Sequence, residues 1–166
     1  AILRALIAGC LALMLIQGLP AAALADEFPQ EMAGLKLLSK SEGEEAKKQV
    51  YSLHGKDLKL EEAFVLHYGN PANTSSIATV WVSRSKNEEK AKGLFERMPG
   101  AIKGGAGPYG HLKELSYDNT YVISLYGKDK RHYIYRMGKD LIWIEVDYPM
   151  SEEFLKEALA KLKRAN

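Results

Sequence analysis

Apolar and polar positions alternate most regularly between residues 120 and 147. Three apolar and aromatic runs lie there, separated by polar turns that contain Gly127 and Gly138. Because successive side chains of a strand point to opposite faces of a sheet, this alternation predicts strands, and short polar turns join such strands into hairpins. The segment therefore predicts an antiparallel β-meander that the rest of the chain covers.

Four further runs with strand character precede the meander. Residues 69–73 contain glycine, asparagine and proline, which favour turns, so the runs on either side of them are expected to form a hairpin. The first run is short and is expected at a sheet edge. The four runs cover residues 34–38, 63–68, 77–82 and 112–117.

Three segments have the apolar spacing of amphipathic helices. The first is expected to begin after the hydroxyl side chains of residues 39–41 and to end at Gly55. The second is expected to begin at a capping box of Ser85 and Glu88 and to end at Pro99. The third is expected to begin at Ser151, with acidic residues in its first turn and basic residues in its last.

The order of these elements predicts an α+β fold. The first six have the βαββαβ order of a ferredoxin-like fold, and the C-terminal β-meander and a final helix would extend it. We expect two layers, an antiparallel sheet with the helices on one face. Gly-Lys-Asp occurs at residues 55–57, 127–129 and 138–140, which is compatible either with related halves or with recurrent turn chemistry.

Residues 1–25 have the pattern of a secretory signal peptide. An apolar run is followed by small residues that end in Ala-Leu-Ala before Asp26. Residues 26–166 are then one α+β domain, periplasmic or secreted, without a transmembrane segment. An uncleaved anchor helix and a lipoprotein modified at Cys10 are the alternatives. Cys10 is the only cysteine, and Asn73 begins a glycosylation sequon whose modification the sequence leaves open.

Composition excludes some classes of protein. The 166 residues include 23 basic and 21 acidic side chains, a formal charge of +2, and they are interspersed along the chain. Without a basic stripe or a nucleic-acid-binding motif we expect no nucleic-acid partner. No motif specifies a reaction, a cofactor or an oligomeric state, so no cofactor is expected.

The second-last strand run carries the main candidate site. Alternation places Arg131, Tyr133 and Tyr135 on one side of it and His132 and Arg136 on the other. Phenol and guanidinium groups on one sheet face suit an anionic or aromatic ligand, whereas cross-strand packing is the alternative explanation. The candidate ligand-binding residues are Tyr121, Arg131, His132, Tyr133, Tyr135, Arg136 and Glu145.

Glu145 is a candidate because it interrupts an apolar strand. A buried carboxylate must be paired or have a raised pKa, and either can mark a site. The alternative places it on the solvent face or beside Arg131 or Arg136. The four histidines lack the spacing of a metal site, so none is expected. The glycine-rich segment 103–110 lacks the P-loop pattern and is expected to be a connector or a lid.

These observations predict a secreted or periplasmic soluble domain that is not an enzyme. It would bind a small ligand or an envelope protein partner through the Tyr/Arg-rich sheet face. One alternative is a small hydrolase-like envelope enzyme with a site near Glu145 and His132. The other is the lipid-anchored protein.

Overall fold

The computed structural model describes residues 27–54, 58–72, 75–105 and 107–162. The predicted α+β class and antiparallel sheet are confirmed. The signal peptide, Cys10 and Asn73 lie outside the described residues. The described elements are β1 (Glu31–Met32), β2 (Leu35–Glu42), α1 (Gly43–His54), β3 (Glu62–Asn70), β4 (Ser75–Arg84), α2 (Glu88–Lys103), β5 (Gly110–Tyr117), β6 (Thr120–Gly127), β7 (Lys130–Met137), β8 (Asp140–Val146), a 3-10 turn (Tyr148–Met150) and α3 (Ser151–Lys161).

The eight strands form one sheet in the order β1-β2-β3-β4-β8-β7-β6-β5. Every neighbouring pair is antiparallel. The predicted βαββαβ order occurs along the chain as β2-α1-β3-β4-α2-β5, but β5 lies at the far edge, separated from β4 by three later strands. The ferredoxin-like start is therefore not confirmed, and the sheet is larger than the one in that fold.

Helices cover both faces of the sheet, which corrects the prediction of two layers with the helices on one face. Helices α1 and α2 pack on one face and α3 on the other, here called the α1/α2 face and the α3 face. Strand β8 shows why both faces are covered, because all of its residues except Glu145 are buried. A strand that is apolar on both sides needs cover on both sides.

Side chains of the central strands point alternately to the two faces and so contribute to both cores. On β8, Ile142 and Ile144 pack beneath α3, and Leu141 and Trp143 pack beneath α2. Helix α3 contributes Phe154 and other apolar residues spaced at three and four positions. Each such side chain contributes about 1.5–3 kcal/mol to stability when it is fully buried.

The beginning and the end of α2 differ from the prediction. Its N-cap is Asn87, whose side chain accepts a hydrogen bond from the backbone N–H of Lys90 at 2.9 Å. Ser85 is held at the sheet instead, because its N–H donates to the carbonyl of Lys139 at 3.0 Å. The helix continues through Pro99 to Lys103, since Ile102 in the last turn is buried in the core.

A buried arginine ties the junction of β3, β4 and β8 together. Arg84 donates from Nε and Nη2 to the two carboxylate oxygens of Asp140 at 2.7 and 2.9 Å, and from Nη1 to Glu62 at 2.5 Å. Paired, fork-shaped contacts of this kind are the strong form of an ion pair. They fix the end of the sheet at which α2 begins. No helix within the described ranges is both long and apolar enough to cross a bilayer.

Candidate ligand-binding cavity

A cavity of about 930 Å³ lies between α1, α2 and the sheet. Its floor contains Trp81 of β4 and Trp143 of β8, which are direct cross-strand neighbours. This volume is within the roughly 300–1,000 Å³ that is typical of small-molecule sites. The cavity is therefore large enough for an organic ligand.

The helical repeat makes the walls of the cavity apolar. Leu94, Met98 and Ile102 follow one another on α2 at intervals of four residues and line the cavity above the tryptophans. Leu53 contributes from the last turn of α1 and Leu141 from β8. Such a surface favours an apolar ligand body.

The glycine-rich segment closes one side of the cavity through Tyr109. The ring of Tyr109 lies 5.0 Å from that of His132 and 5.4 Å from that of Trp143, measured between centroids. A Cβ atom at Gly107 would lie 2.8 Å from the tyrosine ring, and one at Gly127 would lie 2.7 Å from it. The glycines therefore allow the ring to pack closely at this side of the cavity.

His132 is fully buried behind this wall, and both of its ring nitrogens have partners. Nδ1 accepts a hydrogen bond from Trp143 Nε1 at 3.1 Å, and Nε2 lies 3.0 Å from the carbonyl oxygen of Gly127. Burial lowers the pKa of His132 below its ordinary value, against a smaller opposing effect of the Gly127 hydrogen bond. Burial thus favours the neutral ring, and both of its nitrogens are engaged within the protein.

Glu145 lies in a polar row on the α1/α2 face. The cross-strand register places His132, Glu145, Thr79 and His67 side by side on four neighbouring strands. His132 Nε2 lies 4.0 Å from Glu145 Oε2, and His67 Nδ1 lies 3.2 Å from Thr79 Oγ1. The Glu145 side chain is 21% exposed. Among the described residues, no ion pair joins Glu145 to Arg131 or Arg136, and Glu145, Arg131 and Arg136 are not described lining residues of the cavity.

The predicted Tyr/Arg face is the α3 face. Tyr133 and Tyr135 are buried in the core beneath α3, with 5% and 0% exposure. Arg131 is half-buried, and its guanidinium group lies 5.3 Å from the ring centroid of Tyr148. The two tyrosines thus offer no open surface to a ligand, in agreement with the cross-strand packing alternative. Ligand binding by these residues stays a prediction.

Tyr121 and Arg136 lie on the opposite face. Both line a shallow depression of about 500 Å³ beside α2. Tyr121 packs edge-on against Phe95, and Arg136 donates a hydrogen bond to the carbonyl of Gly138 at 2.8 Å. The seven candidate residues are therefore divided among the α3 face, the polar row and this depression, and they do not form one site.

The histidines do not gather around a common point. His54 lies edge-on to Trp143 at the cavity, and His111 is exposed on β5. Within the part of the chain that the structure describes, no group of three histidine or carboxylate side chains is arranged to hold a metal ion.

The sequence interpretation missed the residues that form the cavity. Trp81 and Trp143 are the only tryptophans of the chain, and Trp143 stands on β8, which has apolar residues on both faces. That doubly apolar pattern was the available signal, because it requires a second layer of helices and so an interface in which a cavity can form.

Comparison with protein-family models, with curated proteins and with solved structures finds no match to this chain. The functional argument therefore depends on the cavity itself.

Proposed function

We propose that the protein is a non-enzymatic binding protein for a small, largely apolar molecule that occupies the cavity between α1, α2 and the sheet. The observation that carries the proposal is the tryptophan floor. Trp81 and Trp143 lie side by side under apolar helix walls in a cavity of about 930 Å³. Aromatic side chains supply large contact areas at small entropic cost, and pockets of this size and lining are typical ligand sites.

The state of His132 supports binding rather than catalysis. It lies directly behind the cavity wall against Trp143, and each of its ring nitrogens is engaged within the protein. A general base needs a free lone pair within reach of the substrate. The proposal therefore keeps the expected non-enzymatic role but moves it from the Tyr/Arg face to the α1/α2 face.

Titration with the neutral fluorescent probe N-phenylnaphthylamine tests the proposal. We expect saturable binding of one probe per chain, with quenching of the intrinsic fluorescence. Both tryptophans of the chain line the cavity, so quenching reports on this site without background from elsewhere.

A matched pair of helix variants locates the binding. Ala101 lines the cavity and is exposed, and Ala160 is exposed on α3 at the other face. Ala101→Phe is expected to weaken probe binding about tenfold by filling the cavity entrance, a loss of about 1.4 kcal/mol. Ala160→Phe is expected to leave binding unchanged. Absence of saturable binding, or equal effects of the two variants, would contradict the proposal.

Location outside the cytoplasm remains a separate proposal, supported by the pattern of residues 1–25. Mass spectrometry of the mature N-terminus tests it. A chain that starts at Asp26 agrees with cleavage of a signal peptide, and a lipidated Cys10 would favour the lipoprotein.

A further inference from the structure

Three cationic side chains stand around the cavity. Lys48 comes from α1, Arg97 from α2 and Lys128 from the turn between β6 and β7, and all three residues are exposed. Among the described residues, none of the three is in an ion pair, and no aspartate or glutamate lines the cavity. Three separate elements thus supply unpaired positive charge to one opening.

Helical spacing separates these charges from the apolar walls. On α2, the buried Met98 and Ile102 belong to the inner row, whereas Arg97 and Ala101 belong to the exposed row beside it. On α1, the exposed Lys48 precedes the half-buried Leu53. The cavity is therefore apolar at its floor and cationic at its mouth.

The protein as a whole has nearly equal numbers of basic and acidic side chains, so three unpaired cations at one cavity do not follow from the overall composition. The whole protein carries 23 basic and 21 acidic side chains, and elsewhere many lysines are paired, as Lys130 is with Asp147 at 2.9 Å. Lys48, Arg97 and Lys128 are in no ion pair among the described residues, and they line one cavity whose described lining contains no carboxylate. Such a set attracts an anion and repels a cation.

We infer that the ligand is an amphipathic anion, with an apolar body on the tryptophan floor and one anionic head group at Lys48, Arg97 and Lys128. This inference rests on the proposed function. The ligand is bound as a free monomer, because the apolar residues lie inside a cavity between two helices and the sheet, where a bilayer surface does not reach. A carboxylate or a sulfate head satisfies the same three cations.

Three probes with the same chain and different heads test the charge preference. These are dodecanoate, dodecanol and dodecyltrimethylammonium, each added below its micelle-forming concentration or solubility limit, and their binding is measured by displacement of N-phenylnaphthylamine. At low salt we expect dodecanoate to bind about tenfold more tightly than dodecanol, and the cation to bind most weakly. Added salt is expected to reduce the advantage of dodecanoate and to leave dodecanol unaffected, because salt screens exposed charges.

Charge-removing variants identify the head-group site. In the triple variant Lys48→Gln, Arg97→Gln and Lys128→Gln we expect dodecanoate affinity to fall to about that of dodecanol, with roughly twofold lost per cation. Dodecanol affinity is expected to stay the same. Lys113→Gln is the control, because Lys113 is exposed on β5 and pairs in register with Ser124 on the α3 face. It is expected to change neither affinity.

The possible outcomes distinguish a failure of the anion inference from a failure of the proposed binding function. Equal affinity for the three probes, or a preference for dodecanol, would overturn the anion inference and leave the binding function standing. Absence of saturable binding of N-phenylnaphthylamine would overturn both, whereas binding of N-phenylnaphthylamine that none of the three probes displaces would overturn the anion inference alone. Sedimentation with phosphatidylglycerol vesicles, without saturable binding of dodecanoate, would overturn the inference in favour of a membrane surface.

Discussion

Trp143 donates a hydrogen bond from Nε1 to Nδ1 of His132 at 3.1 Å. Because Nδ1 is the acceptor, the neutral ring carries its hydrogen on Nε2, which lies 3.0 Å from the carbonyl of Gly127. A buried residue of β7 thereby fixes the orientation of the indole ring in the cavity floor, and it also holds the turn that carries Lys128. The floor and the mouth of the cavity are connected through this histidine.

Replacement of Trp143 by phenylalanine tests this connection. The variant leaves the buried Nδ1 without its donor, and we expect the free energy of unfolding to fall by about 1–3 kcal/mol. Trp81→Phe is the matched control, since Trp81 lines the same cavity, is half-buried and makes no described hydrogen bond through its ring nitrogen. Urea denaturation of both variants measures the difference. Equal losses would show that ring volume, not the hydrogen bond, is responsible.

Stability is expected to fall when the pH drops below about 6.5, the ordinary pKa of histidine. Burial lowers the pKa of both His132 and His67 in the folded protein. Between the ordinary value and the lowered one, the unfolded chain binds protons that the folded chain does not. The free energy of unfolding therefore decreases with falling pH, by up to about 1.4 kcal/mol per pH unit for each histidine, and is constant above this window.

Urea denaturation from about pH 7.5 to about pH 5 measures this slope. His132→Gln is expected to make the slope shallower, because one of the two groups is removed. His111→Asn is the control, since His111 is exposed and has a positive φ of 53° that asparagine tolerates. An unchanged slope in the His132 variant would contradict the role given to its burial.

Gly127→Ala is expected to disturb the wall that Tyr109 forms. The new Cβ would lie 2.7 Å from Cδ1 of Tyr109 and 2.8 Å from the carbonyl oxygen of Pro108. Since a backbone oxygen is among the obstructing atoms, the loop must move, and we expect a loss of about 1–3 kcal/mol in stability. Weaker binding of N-phenylnaphthylamine should accompany it.

Gly100→Ala provides the comparison for that variant. Nothing lies within 4 Å of a Cβ at Gly100, and the residue is exposed within α2. Alanine is expected to raise stability by up to about 1 kcal/mol, because it favours the helix. Thermal unfolding of the two variants should therefore shift in opposite directions, and shifts in the same direction would refute the clash at Tyr109.

Arg84→Met is expected to be strongly destabilising, because it leaves the buried Asp140 without its partner. Removal of one member of a buried ion pair costs about 3–5 kcal/mol. Lys156→Met is the control, since Lys156 forms an exposed pair with Glu152 at 3.2 Å, and it should cost no more than about 1 kcal/mol. Denaturant titration compares them, and a similar small loss in both would show that Asp140 is rehydrated without strain.

Local patterns in the sequence predicted the elements well and their arrangement only in part. Alternation identified the meander, and the helical spacing of Phe154 and Leu155 identified α3. The strand order was not accessible, because the pairing of β4 with β8 depends on two segments whose paired residues Arg84 and Asp140 are 56 positions apart. The second helical layer could have been predicted from β8, which has apolar residues on both faces.

The burial of the candidate residues could not be predicted, because alternation defines the two sides of a strand but not which side is covered. Tyr133 and Tyr135 were correctly assigned to one face, which α3 covers. The cavity lies instead between α1, α2 and the sheet. Its cations therefore come from three separate elements, namely α1, α2 and a turn. Spacing within a single segment carries no information about Lys48, Arg97 and Lys128 as a group.

The ladder between β4 and β8 also governs how the sheet assembles. The other strand pairs join segments that follow one another in the chain, whereas this ladder brings together two blocks of four strands. Contacts between distant segments form late, since closure of the intervening chain costs entropy. Trp81 and Trp143 lie side by side across this ladder. A molecule held on both rings would bridge the two blocks only after they have joined, and it would slow unfolding while leaving the folding rate nearly unchanged.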